Sequence, residues 1–141
     1  MLPADGMDTR PVTFELVFQV VPDDIDDLGH VNNVVYLRWV QDVAAAHWTS
    51  VTSADEQAQI GWVVLRHEID YKHPARPGDR VIARTWVGQP SAATFERHTE
   101  ILRAQDERLL ARARSLWCPV HPHTGRLRRI DPALHDRFYA R

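Results

Sequence analysis

Residues 23–48 read DDIDDLGHVNNVVYLRWVQDVAAAHW, and the parsing of this stretch decides the fold. A carboxylate-rich loop closes on Gly29-His30-Val31-Asn32-Asn33, and about fifteen mostly apolar residues follow. Val34, Val35, Leu37, Val40, Val43, Ala44, Ala45 and Trp48 recur at helical spacing but cover more than one face. That is the pattern of a helix buried on most sides. Arg38, Gln41 and Asp42 sit three and four residues apart and form its exposed edge. Asn32 or Asn33 supplies an N-cap, its side chain accepting a bond from a first-turn N–H. Asp26, His30 and both asparagines therefore stand at or just before a helix N-terminus. Unpaired donors and the helix dipole favour negative charge at such an end, and a site is expected there.

The rest of the composition narrows the setting. A chain of 141 residues is long enough for one domain with a sizeable core, and 44% apolar with 26% charged residues excludes disorder. The net charge of −2, with arginines spread along the chain, carries no footprint for nucleic acid. Cys118 is the single cysteine and cannot form an internal disulfide, which fits a reducing compartment. The first dozen residues, MLPADGMDTRPV, lack the apolar core of a signal peptide, and no apolar run reaches membrane-spanning length. The expectation is a cytoplasmic protein with a loose tail over residues 1–10 and one domain over 11–141.

Around the helix the chain reads as strands. Val12 to Val20 is rich in β-branched and aromatic residues, and Pro22 ends it. Helix character fades at residues 49–53, and 54–60 form a connector or a final turn. Trp62 to Lys72 sets Leu65, His67, Ile69 and Tyr71 on one face against Arg66, Glu68, Asp70 and Lys72. The prolines and glycine of HPARPGD (73–79) force a turn. Arg80 to Val87 follows, then Thr94 to Arg103, with Phe95, Arg97, Thr99 and Ile101 alternating against Thr94, Glu96, His98 and Glu100. Leu109 to Val120 places Leu109, Ala111, Ala113, Ser115 and Trp117 on one side, where small residues admit a close helix. Asp131-Pro132 opens a short terminal helix through Tyr139. The class is α+β: about five antiparallel strands curved around one long central helix. One sheet edge and one face stay uncovered, so a homodimer is expected.

Three segments resemble a known family: D-x-x-G-H-V-N-N-x-x-Y-L (26–37), Y-K-H-P-A-R-P-G-D (71–79) and H-T-G-R-L-R-R-I-D (123–131). Together with the element order they are similar to the hotdog-fold acyl-CoA thioesterases of the 4-hydroxybenzoyl-CoA thioesterase-like group and the related acyl carrier protein thioesterases. The resemblance spans most of residues 12–138. It implies homodimers or tetramers of dimers with the active site at the subunit interface, and an acyl-CoA substrate. It implies Asp26 as the catalytic carboxylate, and the backbone N–H at Asn33 as the donor to the thioester carbonyl. The sequence differs from the carrier-protein branch at Leu28, where asparagine is usual.

Thioester hydrolysis asks little of a protein, because the carbonyl is electrophilic and the thiolate leaves well. Asp26 could attack directly or deprotonate a water, and His30 could orient that water, share a proton or brace the turn. Asp26 could equally be one turn-forming carboxylate among Asp23, Asp24 and Asp27, and Asn32 and Asn33 could serve only as caps. Tyr36 reads as core. Since coenzyme A carries phosphates, cations should rim the entrance; Arg97 matches a family arginine at the nucleotide, with Arg76, Lys72 and Arg128 as weaker candidates. No cofactor and no metal are implied, since His121-Pro-His123 lacks a third ligand. Ser91 and Ser115 lack a G-x-S-x-G context, and Cys118 beside Pro119 reads as a packed strand residue. The five tryptophans belong to core or dimer. Two other readings stand beside the thioesterase. One is a hotdog (R)-enoyl-CoA hydratase, which normally has asparagine-proline where Leu28-Gly29 stands. The other is a non-catalytic acyl-CoA or acyl-carrier binding dimer.

Overall fold

The computed structural model describes residues 10–91 and 93–139. All of the expected tail except Arg10 lies outside the described residues. Five strands, β1 (Phe14–Gln19), β2 (Gly61–Tyr71), β3 (Arg80–Pro90), β4 (Phe95–Arg103) and β5 (Leu109–Val120), form one antiparallel sheet in the order β1-β3-β4-β5-β2. The helices are α1 (Asn33–Val51), α2 (Ala54–Gln59) and α3 (Pro132–His135), the last running into a 3-10 turn at Asp136–Phe138. This α+β arrangement is consistent with the hotdog fold.

Helix α1 begins where the asparagines predict: Asn32 is the cap, its side chain accepting from Val34 N at 3.0 Å. Its buried stripe, Val35, Tyr36, Trp39, Val40, Val43, Ala44 and His47, packs on the sheet. Ala83, Ala111 and Ala113 share that core, but the helix comes closest to β3 and β1 rather than to the small face predicted on β5. The other side of α1 is not buried by this chain. Val34 is 67% exposed, Ala45 is exposed, and Leu37 and Trp48 are half-buried, all flanking Gln41.

Two features correct the sequence reading. First, β2 does not alternate regularly: its register with β5 slips between Val64 and Arg66. This bulge turns Leu65 outward, 57% exposed, while Trp62 and Val64 before it and His67 and Ile69 after it face inward. Second, β2 and β3 are consecutive but not neighbours, since β5 and β4 lie between them. Residues 72–79 thus cross about 14 Å, three strand spacings, under one end of the sheet. The crossing is built in: Ala75 is fully buried, its N–H donates to the Tyr36 hydroxyl at 2.8 Å, and its carbonyl accepts from Val31 N at 2.9 Å.

The segment 54–60 is a true helix, opened by a capping box between Ser53 and Glu56. Glu56 also pairs with Arg137 (2.8 Å), whose Nη1 donates to Val51 O at 3.0 Å. The C-terminal turn is thereby clasped to the end of α1.

Of the four aspartates before α1, Asp24 is the buried one, at 2% exposure. Its carboxylate accepts from Val21 N and from Arg38 Nη2, both at 3.0 Å. Asp24→Ala removes the acceptor of both the Val21 N–H and the Arg38 guanidinium, and with it the tie between the loop and α1. It should lower unfolding free energy by about 2 kcal/mol in urea titrations without changing the slope.

Candidate active site

The loop before α1 is shaped around Asp26. One carboxylate oxygen, Oδ1, accepts from Leu28 N at 2.9 Å and from His30 N at 3.3 Å. The Asp26 N–H donates to His30 O (2.8 Å) and the Asp26 carbonyl accepts from Gly29 N (3.0 Å). The loop closes through Gly29 at φ +78°, a left-handed conformation costly for any residue with a Cβ. Asp26 and His30 are both half-buried and lie together at the mouth of the loop, as expected. Oδ2 of Asp26 has no hydrogen-bond partner among the described residues. Asn32 is committed to its cap, whereas the Asn33 N–H has no acceptor among the described residues; the Asn33 carbonyl accepts from the Tyr71 hydroxyl at 3.1 Å. A half-open carboxylate and a free amide thus stand at one helix start.

An aromatic-lined cavity lies elsewhere. It encloses about 270 Å³ beside the second half of α1, with Trp48, Trp62, Phe95, Trp117 and Phe138 in its wall. Ala44 and Trp48 lie eleven and fifteen residues beyond Asn33, about 16 and 22 Å along the helix axis. Within one chain the carboxylate and the cavity are at opposite ends of α1.

The cations are distributed unequally. Lys72 and Arg76 are exposed on the crossing segment, next to the Asp26 loop. Arg128 is at the other end, its Nη1 donating to Gln59 O at 2.8 Å. Arg97, expected on an entrance rim, is instead 7% exposed in the cavity wall, because its strand face is the one packed inward. Its Nη1 donates to His47 Nδ1 at 2.9 Å and to Thr85 Oγ1 at 3.2 Å, and its Cζ lies 5.7 Å from the centre of the Phe138 ring. Burial holds His47 down at about 4, so the ring is neutral at pH 7 and accepts through Nδ1. Burial also lowers Arg97 to about 10, which leaves it protonated at pH 7.

The sequence reading passed over this cluster although it held a signal: Arg97 alternates with Phe95, Thr99 and Ile101, and His47 continues the stripe from Val43. It also passed over a Ser–His pair, Ser115 Oγ and His67 Nδ1 at 2.7 Å. Ser115 is 1% exposed and His67 Nε2 has no partner among the described residues, so the pair lacks both access and an orienting acid. His121 and His123 are exposed on a turn, and no group of three ligating side chains forms among the described residues. No helix among the described residues is long and apolar enough to cross a membrane.

Comparison with known proteins bears on the family and the fold. The model of the thioesterase-like superfamily matches residues 20–138. The fold is similar to a 1,4-dihydroxy-2-naphthoyl-CoA thioesterase from Synechocystis (TM-score 0.78, 23% identity, covering 90% of this chain and 96% of that one). It is likewise similar to a DHNA-CoA thioesterase from Staphylococcus aureus (TM-score 0.79, 18% identity, 89% and 88% covered). A thioesterase from Thermus thermophilus, solved with coenzyme A and Zn, superposes with TM-score 0.77 at 22% identity (89% and 97% covered). No curated protein matches the sequence significantly.

The buried histidine makes stability depend on pH. Between a folded value of about 4 and an ordinary value of 6.5, the unfolded chain binds more protons at His47 than the folded one. Stability is therefore complete above pH 6.5 and falls as pH drops towards 4, by up to roughly 3 kcal/mol from this group. Burial lowers His67 and His135 too, which steepens the same slope. Melting temperatures between pH 7 and 4.5 should decline, and His47→Gln should flatten the decline.

Proposed function

The chain belongs to the thioesterase-like superfamily and is a thioester hydrolase; from that premise we propose that it hydrolyses an acyl-CoA to the free acid and coenzyme A, at a site shared between two copies. The observation that carries this reading is the separation along α1 between the Asp26 carboxylate and the aromatic-lined cavity that borders the second half of this helix. A second copy removes the separation.

Strand β2 is a sheet edge eleven residues long with exposed Val63, Leu65 and Tyr71, an edge that invites pairing. Two β2 strands paired antiparallel about a two-fold axis near their middle keep both α1 helices on one face of a continuous sheet. The Tyr71 end of one copy then lies beside the Trp62 end of the other. Because Tyr71 bonds to Asn33, each helix start, with its Asp26, arrives at the other copy's cavity. The uncovered stripe of Val34, Leu37, Ala45 and Trp48 supports the same contact, with α1 as the central helix of a hotdog fold.

At the shared mouth, the Asn33 N–H donates to the thioester oxygen and stabilises the charge that develops there. The free Oδ2 of Asp26 either takes a proton from water as it adds to the carbonyl, or attacks the carbonyl itself. Either way the coenzyme A thiolate leaves; in the second case water then cleaves the mixed anhydride. His30 braces the loop and orients the water. Lys72 and Arg76 of one copy and Arg128 of the other converge on this mouth, where they suit the phosphates of coenzyme A. The coenzyme A held by the Thermus neighbour supports that carrier. The single cysteine supports a cytoplasmic setting.

Asp26→Asn keeps an oxygen for the Leu28 and His30 amides but removes the charge. Thiol release from a panel of acyl-CoAs should fall by about 10²–10⁴-fold with melting temperature unchanged. Thiol release that survives in Asp26→Asn would refute the role. Ala45→Trp, which fills the cavity from its rim, should also be inactive while eluting as a dimer like the wild type. Mixing the two variants after denaturation and refolding should restore about a quarter of wild-type activity, because half the dimers then carry one intact site. No recovery would refute the shared site.

A further inference from the structure

We propose that the acyl group ends in a carboxylate, so that the substrate is the mono-coenzyme A thioester of a dicarboxylic acid, and that Arg97 reads this far end. The inference rests on the reading of the cavity as the acyl pocket and deepens it.

Apart from Arg97 the lining is apolar or already paired, save the Nε1–H groups of Trp62 and Trp117, buried neutral donors without an acceptor among the described residues. Glu96 contributes to the wall, but its carboxylate bonds to Arg114 and accepts from His98 at 3.2 Å, so it does not neutralise Arg97. Among the described residues no carboxylate stands within ion-pair distance of Arg97. Its two polar neighbours, His47 and Thr85, are both neutral and both bind Nη1. That leaves Nε and Nη2 with no acceptor among the described residues, and these two form the edge of the guanidinium that pairs with a planar anion. A buried cation without a counter-charge costs free energy, and an arriving carboxylate recovers it through two charge-assisted hydrogen bonds.

The cavity volume, about 270 Å³, sets the reach. At about 30 Å³ per water it equals roughly nine waters, room for an aryl ring or a medium-length alkyl chain between the thioester and the terminal group. Stacked indole and phenyl walls suit such a spacer. A purely apolar acyl group of the same length would fill the same space but leave the guanidinium edge desolvated and unpaired, and discrimination of this kind is strong.

The test uses matched pairs that differ only at the far end: octanedioyl mono-CoA against octanoyl-CoA, and 4-carboxybenzoyl-CoA against 4-methylbenzoyl-CoA. In at least one pair, kcat/KM should favour the carboxylate by about tenfold or more, mostly through KM, because the contact is remote from the reacting carbonyl. Arg97→Met should reverse the preference, and Arg97→Lys, which keeps a charge without the fork, should retain part of it. Binding of the corresponding non-hydrolysable thioethers, followed by tryptophan quenching, gives the same comparison without turnover. Equal or weaker binding of the carboxylate by the wild-type protein, or a preference untouched in folded Arg97→Met and Arg97→Lys, would overturn the proposal while leaving the hydrolase reading intact. Arg97-dependent carboxylate binding without thiol release from any of the four would do the reverse.

Discussion

Everything around the helix start hangs on Ala75. This one residue, fully buried, has its N–H tied to Tyr36 on α1 and its carbonyl tied to Val31 at the end of the acidic loop. The crossing from β2 to β3 has to pass under the sheet, and backbone groups there would be stranded away from water without partners. The helix supplies one partner and the loop the other. Sheet topology, helix position and loop conformation are thereby fixed together, and Asp26 inherits its place from all three.

How far the sequence foretold this can be argued from particular residues. Local chemistry was legible: the Asn32 cap, the end of β2 before the prolines of 73–79, and β5, whose bounds match those read from alternation and whose alanines face the core. Long-range pairing was not. Nothing within β2 or β3 says that two other strands separate them, since that depends on which edges meet after collapse. The bulge at Leu65 was equally silent, because an extra residue leaves hydrophobic alternation looking intact until the partner strand is present. Among the aspartates, burial and partners distinguish Asp24, tied to Arg38, from half-buried Asp26, which holds the loop amides with one oxygen and leaves the other free.

Arg97 shows how a functional expectation and a structural one can pull a residue in opposite directions. A need for phosphate-binding cations drew it to a rim, while its place on the inward face of β4 drew it inside. The packing prevailed. A buried guanidinium without a counter-charge carries a desolvation cost, which its bonds to His47 and Thr85 and the Phe138 ring offset in part. The shared-site reading gives that cost a use.

The clasp between Glu56 and Arg137 has a reach beyond its own turn. Phe138, the next residue, walls the cavity, and its carbonyl takes the Val12 N–H, so the ion pair is one of several ties on the closing segment of the pocket, beside the Tyr139 hydroxyl bonded to Gly88 O. Dissolved ions weaken such exposed pairs while leaving the aromatic wall unaffected. Added salt therefore slackens one tie on the segment that closes the pocket and leaves the aromatic wall itself in place.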